Sequence, residues 1–497
     1  MLKRMSALFL AALMILSVML VGCGKQEKPD ETTTGESNAT TTAVTETTVP
    51  EETVDPNNPY DLPTDLNYNG ETFHFLVWEQ SILEYDVESV TGDMINDAVY
   101  NRNRAVEERL GLKLKFTAIP GSSDYVNDFV SRASAGILSG TGEYDSIGCY
   151  CRSAGVMAMQ GLLFNMLEID HLDFERPYWP DSLNEMNTID GQLYYASGDI
   201  ATSILYRTHI MVENVTMHNK LGIKENPQEL ALAGKWTVDK LLEMAAGAYQ
   251  DVNGNGAKDE TDIYGLTTIS HPWLDSWFVG AGLHYVDVRD EKLVVSDSFS
   301  SEKTVKLLEK LNNIFWDTND GRYADKSSKS YLTEGLSLFF AAQTNTLATD
   351  LRDVDYTYAI LPMPKYDEKQ ENYATTIGFT HSLYCVPNDV KDSARVGATL
   401  ESMAAESYAT VSPAIFENAF KSKYSNTELD ARCFDLIRST YVFDVGRIMH
   451  DSFPKDRPVN LFRKQIQGNL DTFTSRCAEM VPLYQAVLDD IMQAYKK

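Results

Sequence analysis

The sequence has no surplus of basic residues. Its 497 residues include 43 Lys and Arg against 72 Asp and Glu, which gives a formal net charge of -29 at pH 7. A nucleic-acid surface needs clustered Lys and Arg to meet phosphates, so this balance argues against nucleic-acid binding. It also disfavours adhesion to anionic lipid. A hydrophobic content of 43% is enough for sizeable cores, and the length indicates two domains or one large two-lobed unit.

Familiar catalytic signatures are missing. The sequence contains no G-x-S-x-G nucleophile elbow, no H-E-x-x-H zinc motif and no G-x-x-x-x-G-K phosphate loop. Its eight His are scattered without paired spacing. Carboxylates are abundant, so a cell-surface glycosidase that uses two of them stays open as an alternative function. An adhesion or scaffold module is a third possibility, which a mixed α/β pattern disfavours because such modules are usually β-rich.

The cysteines cannot form a complete disulfide framework. Apart from Cys23 their number is odd. The stretch "CYC" predicts two of them on one face of a strand, which could suggest a metal site. Without a nearby His or a second Cys pair, buried thiols are the better interpretation. The five residues are Cys149, Cys151, Cys385, Cys433 and Cys477.

The first residues form a targeting segment. A basic start, "MLKR", precedes the apolar run "MSALFLAALMILSVML" and a small residue directly before Cys23. This order predicts a lipoprotein signal peptide over residues 1–22, with Cys23 as the lipidated, palmitate-bearing new N-terminus. The apolar run is short for a membrane-spanning helix, and no spanning segment follows it.

A polar segment follows the predicted lipid attachment site. The stretch "KQEKPDETTTGESNATTTAVTETTVPEETVDPNNP" is Thr-rich and acidic and has no aromatic residue. It cannot bury enough apolar surface to offset the entropy lost on ordering. We therefore predict a disordered tether over residues 23–67. Signal and tether together predict a protein anchored by lipid on the outer face of the cell membrane.

The body of the chain shows an α/β pattern. The nearly continuous apolar run "GETFHFLVWE", residues 70–79, predicts a strand covered on both faces, as in a parallel sheet. The next segment has helical spacing that ends at Gly111. A strand "KLKFTAI", a helix over 124–138 and a strand over 144–150 follow. Alternation of strands and helices of this kind is typical of α/β folds.

Further elements follow the same pattern. "TSILYRTHIMV" predicts a buried strand, and "WTVDKLLEMAAGAYQ" predicts a helix with Thr237 as its N-cap. "GLSLFFAA" and "YTYAILPMP" predict strands, and the last hundred residues are mostly helical in pattern.

The loop "DVNGNGAKDETD", residues 251–262, has the spacing of a calcium-binding loop. The EF-hand pattern asks for oxygen donors at positions 1, 3, 5, 9 and 12, a carbonyl at 7 and Gly at 6, where Gly256 stands. Asp replaces the usual Glu at position 12. The simpler alternative is a solvated Asn-Gly turn rich in acids. We expect a structural calcium ion. Its expected ligands are Asp251, Asn253, Asn255, Asp259, Asp262 and the carbonyl of Ala257.

Taken in order, several stretches resemble the family-1 extracellular solute-binding lipoproteins, which serve ATP-driven importers, mostly of sugars. The resemblance covers the chain from about residue 68. "VYNRNRAVEERLG" looks like that family's first helix, which leads into its second strand. The matching stretches are "GETFHFLVWE", "GDMINDAVYNRNRAVEERLGLKLKF", "YDSIGCY", "GLLFNMLEID", "GQLYYASGD", "KWTVDKLLEMA", the acidic Gly loop with "DIYGL", and "YAILPMPK" with "GFTHSLYCVP".

The resemblance implies a clamshell of two α/β lobes around a cleft. The N-terminal lobe would take residues 68–199 and 331–374, and the C-terminal lobe residues 200–330 and 375–497. It also implies a monomer that captures a small polar solute, most plausibly a saccharide, and delivers it unaltered to ABC transporter transmembrane subunits. The lobes would be joined by crossings near 199–203, 325–335 and 373–380.

Candidate ligand contacts follow from the expected cleft. Aromatic side chains stack on the C–H faces of sugars, and carboxylates and amides bond their hydroxyls. Residues at strand ends and at the first crossing should face the cleft, and the resemblance implies the same for a Pro- and Gly-bounded loop at 271–282. Each candidate could instead belong to the core; Trp179 is a weaker candidate. The candidates are Trp78, Glu79, Tyr150, Asp199, Trp273, Asp275 and Trp277.

Overall fold

The structure is a computed structural model. It describes residues 62–496 except 271–272, 325–328, 417–427 and 455. The predicted signal peptide, Cys23 and most of the predicted tether therefore lie outside the described residues. The last tether residues are packed, because Leu62 is buried and Arg109 donates to the carbonyl of Pro63 at 2.9 Å. The folded body thus includes residues before the expected start at 68.

The strands have the following bounds. They are β1 Thr72–Trp78, β2 Lys113–Ile119, β3 Ser146–Tyr150, β4 His209–Asn214, β5 Tyr264–Ile269, β6 Val286–Arg289, β7 Lys292–Val295, β8 Gly321–Ala324, β9 Ser337–Gln343, β10 Tyr358–Leu361, β11 Thr375–Thr376, β12 Ser382–Cys385 and β13 Tyr441–Val442.

The α-helices are joined by short 3-10 and π-helical turns. They are α1 Ile82–Tyr85, α2 Met94–Leu110, α3 Val126–Leu138, α4 Cys151–Met159, α5 Asp181–Asn187, α6 Thr202–Arg207, α7 Val215–Leu221, α8 Pro227–Leu232, α9 Val238–Ala245, α10 Trp273–Gly280, α11 Glu302–Asn312, α12 Ser330–Thr333, α13 Asn345–Thr349, α14 Ser393–Glu406, α15 Ser412–Phe416, α16 Glu428–Arg438, α17 Val445–Ile448, α18 Pro458–Gln467 and α19 Phe473–Tyr495. Within the described part of the chain, no helix is both long and apolar enough to cross a membrane.

Two sheets organise the fold. The first has the strand order β12-β3-β1-β2, in which β1 runs parallel to β2 and β3 while β12 is antiparallel to β3. The second has the order β10-β4-β9-β5-β8 and mixes parallel and antiparallel pairs. We call each sheet with the helices that pack on it the first and the second lobe. The predicted two-lobed α/β fold is confirmed.

Local sequence signals fix the ends of two helices, one in each lobe. The Asp93 carboxylate caps α2 by accepting the backbone N–H groups of Ile95 and Asn96, and Gly111 ends the helix in the left-handed conformation at φ 60°. A residue with a Cβ would be strained there. Thr237 caps α9 in the same way as Asp93, through a bond from the Lys240 N–H. The predicted end of α2 at Gly111 and the predicted N-cap Thr237 are confirmed, whereas α9 ends at Ala245, before the end of the stretch predicted as helical.

Two local predictions were wrong. The segment "TSILYR" forms helix α6, and the strand begins only at His209. Cys151 begins helix α4, so it does not share a strand face with Cys149. In both cases a short apolar run fits a buried helix as well as a buried strand, and periodicity alone does not separate them.

The sheets also reassign segments between lobes. Strands β9 and β10, expected in the N-terminal lobe, pair with β4 in the second sheet. Strand β12, expected in the C-terminal lobe, closes the first sheet. The expected crossing near 325–335 is wrong because β8 and β9, on either side of it, share a sheet. The remaining lobe boundaries stay a prediction.

Two crossings lie side by side between the lobes. Thr208 bridges Ile377, and the backbone N–H of Gly378 donates to the carbonyl of Arg207 at 2.7 Å. An added Cβ at Gly378 would lie 2.2 Å from the Gln343 amide nitrogen, so a larger residue there would require the buried Gln343 side chain to move. The third expected crossing, near 373–380, includes Ile377 and Gly378, and the first, expected near 199–203, lies a few residues before Thr208.

Candidate functional site

A cavity of about 1160 Å³ opens between segments of the two lobes. One side is formed by the loop at 175–180 and by Tyr408, and both are held by helix α14 and its continuation. The other side is formed by residues 231–234, 371–373 and 435–442. Helix α16, which carries part of this second side, packs on α8 and β10 of the second lobe. We call this cavity the cleft.

Two aromatic residues form the first-lobe wall of the cleft. The hydroxyl of Tyr178 donates to the Glu401 carboxylate, and the indole N–H of Trp179 donates to the same group at 3.0 Å. The backbone N–H of Asp199 fixes the loop from the other side by donating to the Tyr178 carbonyl at 3.0 Å. Burial raises the pKa of Glu401 to about 7, although its hydrogen-bond donors oppose this. The buried Glu401 carboxylate therefore holds both aromatic residues of this wall in position.

Asp199 joins the two lobes inside the cleft. Its carboxylate accepts from Ser412 of the first lobe and forms an ion pair with Arg438 of the second. Burial raises the pKa of Asp199, and the Arg438 guanidinium offsets part of that rise. Asp199 is a predicted site residue, and the structure places it in the cleft lining.

Tyr408 presents an exposed aromatic ring in the cleft. It lies on a π-helical turn, Ser407–Val411, between α14 and α15, and its side chain is 41% exposed. Turns of this kind are frequent at functional sites because the extra residue redirects a side chain. The Arg438 guanidinium lies 5.6 Å from the Tyr408 ring centroid. This cation–π contact stabilises the position of the Tyr408 ring.

The second-lobe wall contains a buried cation behind an aromatic ring. Lys365 is only 3% exposed, and its ammonium lies 5.4 Å from the centroid of the Tyr373 ring, which lines the cleft. In the described residues no carboxylate lies within ion-pair distance of this ammonium. A Cβ added at Gly234, another lining residue, would meet the ammonium nitrogen at 3.6 Å and no other atom within 4 Å. The ammonium thus borders open space beside the cleft.

Five exposed carboxylates surround the cleft. None of them forms an ion pair within the described residues, in contrast to Asp199. They give the cleft polar groups that accept hydrogen bonds from hydroxyl or amine donors. These residues are Glu175, Asp181, Glu185, Glu371 and Asp435.

The strand-end aromatics lie in the core. Trp78 and Tyr150 are each 2% exposed, and their rings pack at 5.6 Å between centroids. The Trp78 indole N–H donates to the Ser382 hydroxyl of β12 at 2.8 Å. Strand β12 lies beside β3 and covers these two rings. We had expected them to face the cleft from the ends of their strands. Glu79 is exposed on a 3-10 turn and does not line the cleft.

The predicted loop at 271–282 does not line the cleft either. Residues 271–272 lie outside the described part of the chain, and Trp273 begins helix α10 half-buried. Trp277 is 1% exposed, and its ring lies 6.3 Å from that of Phe315. Four-residue spacing therefore places one helical stripe in the lobe interior, which was the alternative interpretation.

Asp275 is buried in an ion cluster and not available to a ligand. It is 0% exposed, and it accepts from Arg463 through two bonds of 2.6 Å and from Arg447. Burial alone would raise the pKa of Asp275, but the Arg463 and Arg447 guanidiniums outweigh it and lower the pKa to about 2. The Arg463 and Arg447 guanidiniums therefore occupy both carboxylate oxygens of Asp275.

The expected calcium loop is held by hydrogen bonds between its own side chains and backbone. Asp251 accepts the N–H groups of Gly254 and Gly256 at 2.7 and 2.8 Å, and the Asn253 and Asn255 amides both donate to the Asp259 carboxylate. These four side chains at positions 1, 3, 5 and 9 therefore converge, as the predicted spacing requires.

Position 12 of the loop does not fit a metal ligand. Asp262 is 0% exposed and accepts the N–H groups of Val252 and Asp259, each at 3.1 Å, and the hydroxyl of Tyr249. Across the described residues, no group of three or more His, Cys, Asp or Glu side chains is arranged to hold a metal ion. Calcium stays a prediction.

Comparison with known proteins shows the fold. No protein-family model and no curated protein matches the chain. Among solved structures, a cyclo/maltodextrin-binding protein complexed with maltotetraose shares 12% identity at a TM-score of 0.54, over 86% of this chain and 98% of that one. An extracellular solute-binding protein from Staphylococcus aureus in complex with maltose shares 13% identity at 0.54, over 88% and 99%.

A third structure extends the range of ligands. UgpB from Mycobacterium tuberculosis, in complex with glycerophosphocholine, shares 16% identity at a TM-score of 0.53, over 84% of this chain and 98% of that one. The chain has the two-lobed fold of solute-binding proteins. At this identity the likeness concerns the fold, and the predicted resemblance is confirmed at that level.

Sequence reasoning missed most of the cleft. Tyr408, Arg438, Tyr373 and Lys365 come from segments far apart in the chain, and only tertiary structure brings them together. One local signal was present: the stretch "RPYWPDS" holds two aromatic residues between prolines, and Trp179 in it does line the cleft.

We predict that Asp275→Asn strongly destabilises the fold. The change leaves two buried guanidiniums without their carboxylate, and breaking a buried ion pair costs about 3–5 kcal/mol. Denaturant unfolding at pH 7 measures the free energy of unfolding. In the wild type, the stability due to ionised Asp275 is complete above pH ~4 and is lost as pH falls toward about 2.

The control is Asp297→Asn, at a side chain that is 84% exposed and pairs with Arg289. It should change stability by less than about 1 kcal/mol. Equal effects of the two substitutions would contradict the assignment of Asp275 as the buried centre of the cluster.

Proposed function

We propose that the protein is an extracellular solute-binding protein of an ATP-driven importer. It captures a small polar solute, a saccharide, in the cleft and delivers it unaltered to the transmembrane subunits. The observation that supports this most directly is the cleft of about 1160 Å³ between two lobes, with the half-exposed ring of Tyr408 at one wall. A volume of this size suits a mono- or oligosaccharide.

The lining has the chemistry that sugars need. The exposed ring of Tyr408 offers an apolar face to the C–H surface of a sugar, and the rim carboxylates accept hydrogen bonds from its hydroxyls. Trp179 lines the cleft but is only 2% exposed. The Lys365 ammonium, which has no carboxylate partner among the described residues, would donate to a ligand oxygen that reaches the space beside Gly234. A saccharide has apolar C–H faces, hydroxyl donors and oxygen acceptors, which match these three kinds of group.

Capture would proceed by closure about the paired crossings. A hinge motion brings the two walls together, and the ligand must bind the closed state better than the open one. Asp199 and Arg438 already join the lobes at the cleft, so closure has to keep or re-form this ion pair.

A glycosidase is the alternative that the sequence left open. Such an enzyme needs a carboxylic acid with a raised pKa beside its substrate. Two carboxyls near the cleft have a raised pKa. Asp199 is 8% exposed and already accepts from Ser412 and Arg438. Glu401 is 0% exposed, and its oxygens already accept from Tyr178 and Trp179. It lies behind the wall and cannot reach a glycosidic oxygen. This arrangement favours binding over turnover.

A panel of saccharides, with glycerophosphocholine included, tests the proposed function by thermal shift and calorimetry. We expect one saccharide to raise the melting temperature, because any ligand of the folded state stabilises it, and to be recovered chemically unchanged. Tyr408→Ala should weaken its binding about tenfold, or ~1.4 kcal/mol, through loss of stacking, while Tyr408→Phe keeps most of the affinity.

Tyr125→Ala is the matched control, because Tyr125 is 44% exposed and does not line the cleft. Hydrolysis of the saccharide would support the glycosidase instead. No stabilisation by any member of the panel, or an equal loss from both alanine substitutions, would refute capture in this cleft.

We propose that the protein is held at the membrane by lipid alone. The signal pattern of residues 1–22 and the position of Cys23 support this, and the tether would place a monomeric body on the outer face. Labelled palmitate fed to cells that express the full chain should appear in the wild type and be absent from Cys23→Ala. Equal labelling of both would show that Cys23 is not the attachment site.

We also propose that the loop at 251–262 binds one calcium ion in a structural role. The side chains of Asp251, Asn253, Asn255 and Asp259 would be the ligands with the Ala257 carbonyl, and Asp262 would support the loop from beneath. After chelation, calorimetric titration should show one calcium bound, with Asp251→Ala abolishing binding. Asp297→Ala, an exposed acid elsewhere, should bind as the wild type does; absence of binding by the wild type would refute the proposal.

A further inference from the structure

Glu401 is a buried carboxylate that touches only the back of the cleft wall. It lies on α14 and is 0% exposed. Its carboxylate accepts from the Tyr178 hydroxyl, from the Trp179 indole N–H at 3.0 Å and from the Asp173 backbone N–H at 3.3 Å. Two of these donors belong to the loop at 175–180 that forms the first-lobe wall, and Asp173 lies just before that loop. One carboxylate thus fixes both ring positions in that wall.

The charged groups near Glu401 include no cation that pairs with it in the described part of the chain. In the facing loop, Asp173 forms an ion pair with Arg176 at 2.8 Å, and the negative charge of Asp173 adds to the rise in the pKa of Glu401. From α2, the buried Arg102 bonds to Asn103, to the carbonyls of residues 84 and 85 and to Ser407. Within the described residues, no Lys, Arg or His forms an ion pair with Glu401. The carboxylate is therefore balanced by hydrogen bonds only.

We propose that Glu401 is the positioning residue of the cleft, and that its ionised form holds Tyr178 and Trp179 in the geometry that accepts ligand, so that solute binding is linked to a proton. This inference rests on the proposed function, because it concerns the same cleft. Glu401 itself touches no ligand.

The proton changes the bonds of the wall in a defined way. The ionised carboxylate is acceptor-only and suits three donors. On protonation, one oxygen becomes a donor. Oxygen Oε2 already accepts two N–H groups, so the proton belongs on Oε1, where it points at the Tyr178 hydroxyl oxygen and displaces that hydroxyl's own hydrogen. The Tyr178 oxygen then accepts from Glu401, and its own hydrogen has to find another acceptor. The wall is held by neutral hydrogen bonds, which are weaker than bonds to a charged carboxylate, so its position is less firmly fixed.

This exchange falls in the physiological range. Burial raises the pKa of Glu401 to about 7, so the wall passes from mostly ionised to mostly protonated between pH 8 and pH 6. If only the ionised form accepts ligand, the apparent dissociation constant is the intrinsic constant divided by the ionised fraction. It should then rise about tenfold from pH 8 to pH 6.

The first test measures the affinity of the saccharide found in the panel across pH 5.5–8.5. Glu401→Gln imitates the protonated acid, since the amide oxygen accepts from Trp179 and the amide nitrogen donates to Tyr178. We expect weak, pH-independent binding by Glu401→Gln and a tenfold change in the wild type. The control is Glu108→Gln, which makes the same charge change at an exposed position of α2 and should keep the wild-type profile.

Tyr178→Phe gives an independent check should Glu401→Gln not fold. Loss of the hydroxyl removes a bond that favours the ionised carboxylate, so the midpoint of the pH profile should move upward. A flat wild-type profile, or wild-type and Glu401→Gln profiles of the same shape, would overturn the proposal.

A ligand-free measurement separates this proposal from the proposed function. Fluorine NMR of 5-fluorotryptophan protein reports the Trp179 indole, whose signal is assigned by its loss in Trp179→Phe. That signal should titrate near pH 7 in the wild type and not in Glu401→Gln. Titration without saccharide binding would contradict the proposed function alone, and saccharide binding without titration would contradict the role of Glu401 alone.

Discussion

The fold depends on one strand that returns to the first sheet after the second sheet has been built. Strand β12 pairs antiparallel with β3, Leu383 opposite Cys149, although β4, β9 and β10 precede it in the chain and belong to the other sheet. The first sheet is therefore made from two separate pieces of chain, whereas the strands of the second sheet all lie between His209 and Leu361. The two crossings at Thr208 and Ile377 run side by side, and the cleft opens between the lobes that they connect.

A buried ion cluster holds the region of these crossings. Arg447 donates to the Asp275 carboxylate and to the carbonyl of Ile377 at 3.1 Å, and its guanidinium lies 4.2 Å from the centroid of the Phe379 ring. Arg463 reaches the same carboxylate from α18. A buried pair of this kind adds little net stability, because desolvation offsets attraction, but it admits few alternative arrangements. It fixes how α10 and the late helices meet the crossing.

The fold could be predicted from local signals, and the site largely could not. The apolar run of β1 and the glycine that ends α2 at Gly111 are local features of the sequence, so the strand and the end of the helix were predicted correctly. Strand ends were a poor guide to the cleft, because the late return of β12 covers Trp78 and Tyr150. Tyr408 reaches the cleft through a π-helical turn, which a 3.6-residue period does not reveal.

Closure of the cleft is the central claim, and a distance between the two lobes tests it most directly. Spin labels at Thr410→Cys on the first lobe and Glu229→Cys on the second lie outside the lining, and the cysteines at 149, 151, 385, 433 and 477 are buried. Pulsed electron resonance on the mature chain with Cys23→Ser gives the distance distribution. We expect a shorter, narrower distribution with the bound saccharide. An unchanged distribution at saturating saccharide would contradict the account.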